Sequence, residues 1–240
     1  MKSMRRVWLT PGYVLHQYAY RDTSRIVEAF TADHGRLGLF ARGAAGPKST
    51  LRGVLRPFQR LLLSWSGKSD ACQLVGAELD GVATELAPHR LMCGFYLNEL
   101  LLKLTVRADP HPDIFAAYGQ AIESLAAGED EEAPLRRFEK HLLDDLGYGL
   151  DLTRTSDGEP IEPDGHYRFQ IESGPEACVA EAPGAVYGRS LADLDAAHFT
   201  DARSLRDAKR VLRAALDACL DGRVLKSREC LMALRRRETA

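Results

Sequence analysis

A change of hydrophobic period near residue 85 is the feature that most restricts how this chain can fold. Before it lie five short runs rich in β-branched, aromatic and aliphatic residues: 7–20 (VWLTPGYVLHQYAY), 24–31 (SRIVEAFT), 36–42, 54–65 and Cys72–Leu79. Turn signals separate them, among them Asp33-His34-Gly35 and Ser66-Gly67-Lys68-Ser69. Short apolar runs punctuated by glycine and proline read as strands rather than helices. Five strands in about 80 residues, with one long loop between the third and fourth, is the count expected of a small closed β-barrel such as an OB-fold. From Pro88 the period becomes helical. Leu91, Phe95, Asn98 and Leu102 share one stripe, Pro112-Asp113 opens a second helix, and Pro134 opens a third that Gly147 and Gly149 stop. Residues 150–190 turn irregular around candidate strands at His166–Ile171 and Ala185–Tyr187, and helical spacing returns at Leu205–Cys219 and Lys226–Arg237. The expected fold is α+β: an OB-fold barrel over 1–82, then a mainly helical domain over 83–240 with a small irregular β insert at about 150–190.

The formal net charge of -2 conceals an uneven distribution. Residues 1–69 hold 12 Lys+Arg against 3 Asp+Glu, residues 70–200 hold 9 against 25, and residues 201–240 hold 11 against 6. A basic end on an acidic body focuses an anionic partner onto one face. From His34 to Ser69 there is no acid, and Arg36, Arg42, Lys48, Arg52, Arg56 and Arg60 all fall inside this stretch. Phosphate contacts dominate nucleic-acid affinity, so these six are the candidate DNA contacts. Tyr13, Tyr18, Phe40, Phe58 and Trp65 offer rings on which bases could stack, or else they fill the barrel interior.

Catalytic signatures are missing. Gly46-Pro47-Lys48-Ser49-Thr50 fails as a phosphate loop, because Pro47 precedes the lysine and carries no amide hydrogen. There is no GxSxG, HExxH or GxGxxG motif. Five scattered cysteines without a CxxC pair argue against a disulfide framework and a zinc knuckle and read as small buried apolar residues. Asp144-Asp145 occupy adjacent helix positions that diverge by about 100 degrees and read as a solvated face. No enzyme, cofactor or metal is expected. No apolar run approaches the roughly 20 residues of a membrane span, so a soluble, cytoplasmic chain is expected.

Two further basic groups stand outside the barrel. Arg136 and Arg137 precede an apolar helical stripe, a combination suited to an acidic peptide with a hydrophobic tip; an internal salt bridge to Glu131, Glu132 or Glu139 is the competing reading. Arg206, Arg210 and Arg213 lie opposite the apolar stripe of the 205–219 helix as a secondary basic patch.

Several segments, in order, resemble the RecO family of bacterial recombination mediators: Arg36–Gly43, Lys48-Ser49-Thr50-Leu51 with Pro57-Phe58, Tyr96-Leu97-Asn98-Glu99-Leu100-Leu101, Leu135-Arg136-Arg137-Phe138-Glu139, Leu146-Gly147-Tyr148-Gly149 and Leu225-Lys226-Ser227-Arg228-Glu229. The resemblance implies an N-terminal OB-fold, a helical C-terminal domain and a non-enzymatic role in DNA repair. That role is to bind single- and double-stranded DNA, anneal complementary strands and, with RecR, load RecA onto single strands coated by single-stranded DNA-binding protein (SSB). It also implies capture of the acidic SSB C-terminal tail, with the family's arginine falling on Arg136, and a nucleoid-associated location. Some relatives carry a four-cysteine zinc site in the insert, whereas Thr153–Gly158 has no cysteine and only Cys178 stands in the region. The alternative is a protein-protein adaptor that grips acidic tails and touches DNA incidentally.

Overall fold

The computed structural model describes residues 5–68, 71–128 and 130–238. The described elements are β1 (Arg5–Tyr20), β2 (Ser24–Thr31), β3 (Gly35–Ala41), α1 (Leu51–Val54), β4 (Arg60–Lys68) and β5 (Ala71–Leu79). A 3₁₀ turn (Pro88–Arg90) then leads into α2 (Leu91–Leu104), α3 (Pro112–Ala127) and α4 (Glu132–Asp145). They are followed by β6 (His166–Gln170), β7 (Gly174–Ala177), β8 (Val186–Tyr187), α5 (Gly188–Asp195), α6 (Ala202–Leu220) and α7 (Lys226–Glu238). The α+β class holds, with an N-terminal five-stranded OB-fold barrel, a mainly helical remainder and a small three-stranded sheet ordered β7-β6-β8.

The barrel closes in the order β1-β2-β3-β5-β4, antiparallel throughout except for the short parallel pairing of Leu39 with Cys72 and Phe40 with Gln73. Inward residues alternate along each strand, and Val14, Val27, Leu39, Leu61, Leu63 and Trp65 form its interior. Phe58 and Tyr13 are also buried, so of the five candidate stacking rings only Tyr18 is well exposed, with Phe40 half-buried.

The fourth strand begins later than the apolar run suggests. Leu55 N–H donates to Leu51 O at 2.9 Å, closing one helical turn at α1. Pro57 then brings no amide hydrogen and Phe58 adopts φ +68°, so strand pairing resumes only at Arg60. The turn residue Ser69 lies outside the described residues. Only two cysteines are buried, Cys72 and Cys93, while Cys230 is exposed.

The chain forms two compact units, Met1–Glu129 with Leu225–Ala240, and Asp130–Val224. In the first, α3 covers part of the barrel's outer wall through Phe115, whose ring lies 5.3 Å from Tyr13 and 5.9 Å from Phe30. A polar chain joins three elements there: Asn98 Nδ2 of α2 donates to Leu15 O at 2.9 Å, and Tyr118 Oη of α3 donates to Asn98 Oδ1 at 2.6 Å. Burial, with a smaller push from Tyr13, raises the Tyr118 phenol well above its usual value and keeps it a donor.

Glu99 docks α7 in the same unit, accepting from Lys226 N–H at 3.0 Å, Ser227 N–H at 2.9 Å and Ser227 Oγ at 2.6 Å. A carboxylate at a helix N-terminus satisfies amides that have no intrahelical partner. Burial raises the Glu99 carboxyl, but the Ser227 and Lys226 hydrogen bonds and the Lys103 charge outweigh it and hold it below its ordinary value. In the second unit, Phe138, Leu142, Leu194, Leu212 and Leu216 form the core, and Asp201 caps α6 by accepting from Arg203 and Ser204 N–H at 2.8 Å.

Two tests follow from these contacts. Asn98→Ala removes the donor to the buried Leu15 carbonyl and one partner of the buried Tyr118 phenol, so urea unfolding should show a loss of about 1–3 kcal/mol. The Glu99 pKa is lower folded than unfolded, so its stabilisation is complete above the ordinary value of about 4.3 and disappears as pH falls through the lowered value. Glu99→Gln should flatten that acid limb of a stability-against-pH curve, and an unchanged limb would contradict the capping role.

Candidate nucleic-acid interface

The outer wall of β1–β2–β3 carries a group of neighbouring rings. A register shift between Val14 and His16 marks a β-bulge, after which Tyr18 pairs with Ile26 and Ile26 with Phe40. His16, Tyr18 and Tyr20 thereby share one wall with Ile26 and Phe40. Tyr18 is 48% exposed and Tyr20 38%. The rings hold one another edge-on, His16 against Tyr18 at 4.5 Å and Tyr20 against Phe40 at 5.4 Å. Arg21 adds a cation 5.4 Å above the Tyr20 ring.

The six barrel cations divide by their partners. Arg42, Lys48, Arg52 and Arg56 are exposed and form no ion pair among the described residues. They sit on the segment between β3 and β4, which Ala45 N–H fastens to the β1–β2 hairpin by donating to Thr23 O at 2.8 Å. Gly43 N–H also donates to Ser24 Oγ at 3.4 Å, and Gln17 Nε2 donates to Leu55 O. Arg36 is different: Glu28, 2% exposed, binds it at 3.3 Å and binds Arg107 as well, while Thr105 O accepts from Arg36 at 2.9 Å. Arg60 is half-exposed and pairs with Asp80 at 2.7 Å.

The second unit places the other candidates in separate settings. Arg136 is 4% exposed and held by Glu139 at 2.5 Å and Glu132 at 3.3 Å, so it makes the internal salt bridge. Glu132 also takes Lys209 at 2.5 Å. Arg137 is half-buried, its Nε 3.4 Å from Ala197 O. Arg206, Arg210 and Arg213 line an open hollow of about 410 Å³ with Lys209, Ala214 and Asp217. Arg210 is tethered there, donating to Ala185 O at 2.7 Å. Among the described residues no cluster of three or more His, Cys, Asp or Glu could hold a metal ion, and no helix is long and apolar enough to cross a membrane.

Sequence reasoning passed over Tyr20, Arg21 and Arg25 as site residues. Their signal is the hairpin Tyr20-Arg21-Asp22-Thr23, which brings the ends of two strands beside the basic loop.

The strand order and the helical remainder define an OB-fold protein with an appended α-helical region. The family model for Recombination protein O N terminal matches residues 4–79, and that for Recombination protein O C terminal matches residues 86–229. The chain is 45% identical over 240 residues to the DNA repair protein RecO of Dechloromonas aromatica (strain RCB), covering 98% of this chain and 99% of that protein. It is 43% identical to the RecO of Azoarcus sp. (strain BH72), with the same coverage, and 44% identical to that of Methylococcus capsulatus, covering 93% of each. The chain belongs to the RecO family of DNA repair proteins.

Arg136→Ala would take the guanidinium from a carboxylate that is 2% exposed. Breaking such a pair costs about 3–5 kcal/mol. Chemical denaturation of the variant should show a loss in that range, and Arg137→Ala should change stability by less than about 1 kcal/mol.

Proposed function

We propose that this protein is a non-enzymatic recombination mediator. It binds single- and double-stranded DNA, anneals complementary strands, and with RecR helps RecA load onto SSB-coated single strands in the cytoplasm. Residues 1–82 serve as the nucleic-acid module of this reading and residues 83–240 as the helical one. The observation that carries it is the juxtaposition on the barrel of solvent-facing rings and cations without acid partners. Tyr18, Tyr20 and Phe40 present faces or edges to bases, while Arg42, Lys48, Arg52 and Arg56 track the backbone. Arg36 and Arg60 contribute less, because Glu28 and Asp80 already neutralise them.

In the same proposal the SSB tail meets α4. Glu132 is 30% exposed and lies 3.3 Å from Arg136, so it is the partner that an incoming carboxylate would replace, leaving Glu139 in place. Arg137 lies beside Arg136 to steer the acidic tail.

Titration of a fluorescent single-stranded oligonucleotide at several salt concentrations tests the DNA site. Changing Arg42, Lys48, Arg52 and Arg56 together to Ala should weaken binding to all sequences alike and flatten the salt slope by up to about 3, at roughly 0.7 per phosphate. Tyr18→Ala with Tyr20→Ala should cost about 1–3 kcal/mol per stacked base with the slope retained. An unchanged slope in the fourfold variant removes the barrel as the DNA site and favours the adaptor reading.

A further inference from the structure

Beside the β1–β2 hairpin lies a hollow of about 270 Å³ lined by Gln17, Arg25, Ala44, Ala45, Leu51, Arg52 and Leu55. Arg25 comes from β2 and Arg52 from α1, and no carboxylate is among the lining residues. We propose that this hollow is a phosphate-binding pocket, in which one phosphate group of a nucleic acid seats between the Arg25 and Arg52 guanidinium groups. The inference rests on the reading of the barrel as the DNA site and names a subsite within it.

Three observations support the assignment. Neither arginine forms an ion pair among the described residues, and Arg25 makes only a 3.3 Å hydrogen bond to Ser24 O, so most of its donors remain for a ligand. Arg25 and Arg52 line one hollow from two different segments, and planar guanidinium forks suit the several acceptor oxygens of a phosphate. The walls are set before a ligand arrives. Gln17 Nε2 is committed to Leu55 O, and the Ala44–Ala45 side is fixed by the Ala45–Thr23 hydrogen bond, so little ordering accompanies binding. The volume is below the roughly 300–1,000 Å³ of pockets for drug-sized ligands, which fits a single small anionic group. That group is either an internal phosphodiester or a terminal 5′-phosphate.

The test is salt-dependent binding of oligo(dT) to the full chain carrying Arg25→Gln or Arg25→Lys, with thermal melting to verify folding. Arg25→Gln should lower the salt slope by about 0.7, one phosphate on a single strand, and Arg25→Lys should keep the slope while weakening binding. Arg52→Gln is the second variant, and the Arg25→Gln/Arg52→Gln double variant should lose no more than about 0.7 of slope in total when the two share one phosphate, whereas a loss of about 1.4 assigns them to separate phosphates and overturns the pocket. An Arg25→Gln slope equal to wild type, alongside a fourfold barrel variant that loses slope, overturns the pocket and leaves the barrel site standing. If neither variant changes slope, the barrel site fails too. Comparing 5′-phosphorylated with 5′-hydroxyl oligo(dT) separates the sources: a preference for the phosphorylated end that Arg25→Gln abolishes assigns a strand terminus. A slope change without such a preference assigns an internal phosphodiester.

Discussion

The hydrogen bond from Asn98 to the carbonyl of Leu15 supports much of the rest of the first unit. Leu15 is the extra residue of the bulge in β1, and without it strand alternation would continue unbroken from Tyr13. Residues 15, 17 and 19 would then face outward, and Tyr18 and Tyr20 would point into a barrel already filled by Leu39, Leu61 and Leu63. The bulge lets one strand do two things. Tyr13 faces outward under α3 and is buried, and Tyr18 and Tyr20 face outward into solvent. A bulge disrupts the ladder locally, and a buried carbonyl without a donor is costly, so the Asn98 amide offsets what the changed register takes away. Asn98 is itself held by Tyr118, so α2 and α3 together stabilise the register on which the exposed rings depend.

The arginines show how tertiary partners, rather than local composition, decide which charges are available. Arg36 and Arg42 lie six residues apart in a stretch without acids, yet Glu28 on the neighbouring strand claims Arg36 and no acid reaches Arg42. Buried pairs of this kind are held in place by the desolvation that an unpaired charge would suffer. Exposed cations without partners keep their charge for a polyanion, with counterion release as the driving term. The same contrast separates Arg136, enclosed by Glu132 and Glu139, from Arg206 and Arg213 at the solvent face of α6.

Most of the fold was legible because its boundaries carry local chemistry. Pro88, Pro112 and Gly147 fall at or beside helix ends, and Ser24–Thr31 is the strand its β-branched run suggested. What escaped was set by contacts distant in sequence. The bulge at Leu15 has no glycine or proline to mark it; the donor that satisfies its carbonyl is an asparagine on a helix that the chain reaches only later. The turn at α1 was hidden in an apolar run because Leu51 and Leu55 suit helix and strand alike, and α5 followed a segment whose turn residues masked its start. The motifs 96–101 and 225–229 could be matched as strings, but not the contact between them, in which Glu99 of one caps the helix that begins at Lys226 of the other. The basic segment was visible as cations without acids, whereas Arg25 and Tyr20 became site candidates only once the hairpin was placed.

On the proposed reading, the charge of the two units bears on which basic group a DNA strand would meet first. Residues 1–129 with 225–240 hold 20 Lys+Arg against 14 Asp+Glu, and residues 130–224 hold 12 against 20. Over distances beyond contact, the field of the first unit draws a polyanion in and that of the second repels it. Screening shortens this reach to about 8 Å at physiological ionic strength, so the cluster on α6 can still act locally. Its cations are less available than those of the barrel, since Lys209 is held by Glu132, Arg210 by Ala185 O, and Asp217 lines the same hollow. Low salt strengthens both the attraction of a polyanion by the first unit and its repulsion by the second, which on the proposed reading would favour the barrel most where electrostatics is strongest. On the proposed reading, rising salt would remove that preference along with the affinity itself, so discrimination between the two basic groups and the strength of binding would share one origin, the places where the chain leaves its arginines without acids.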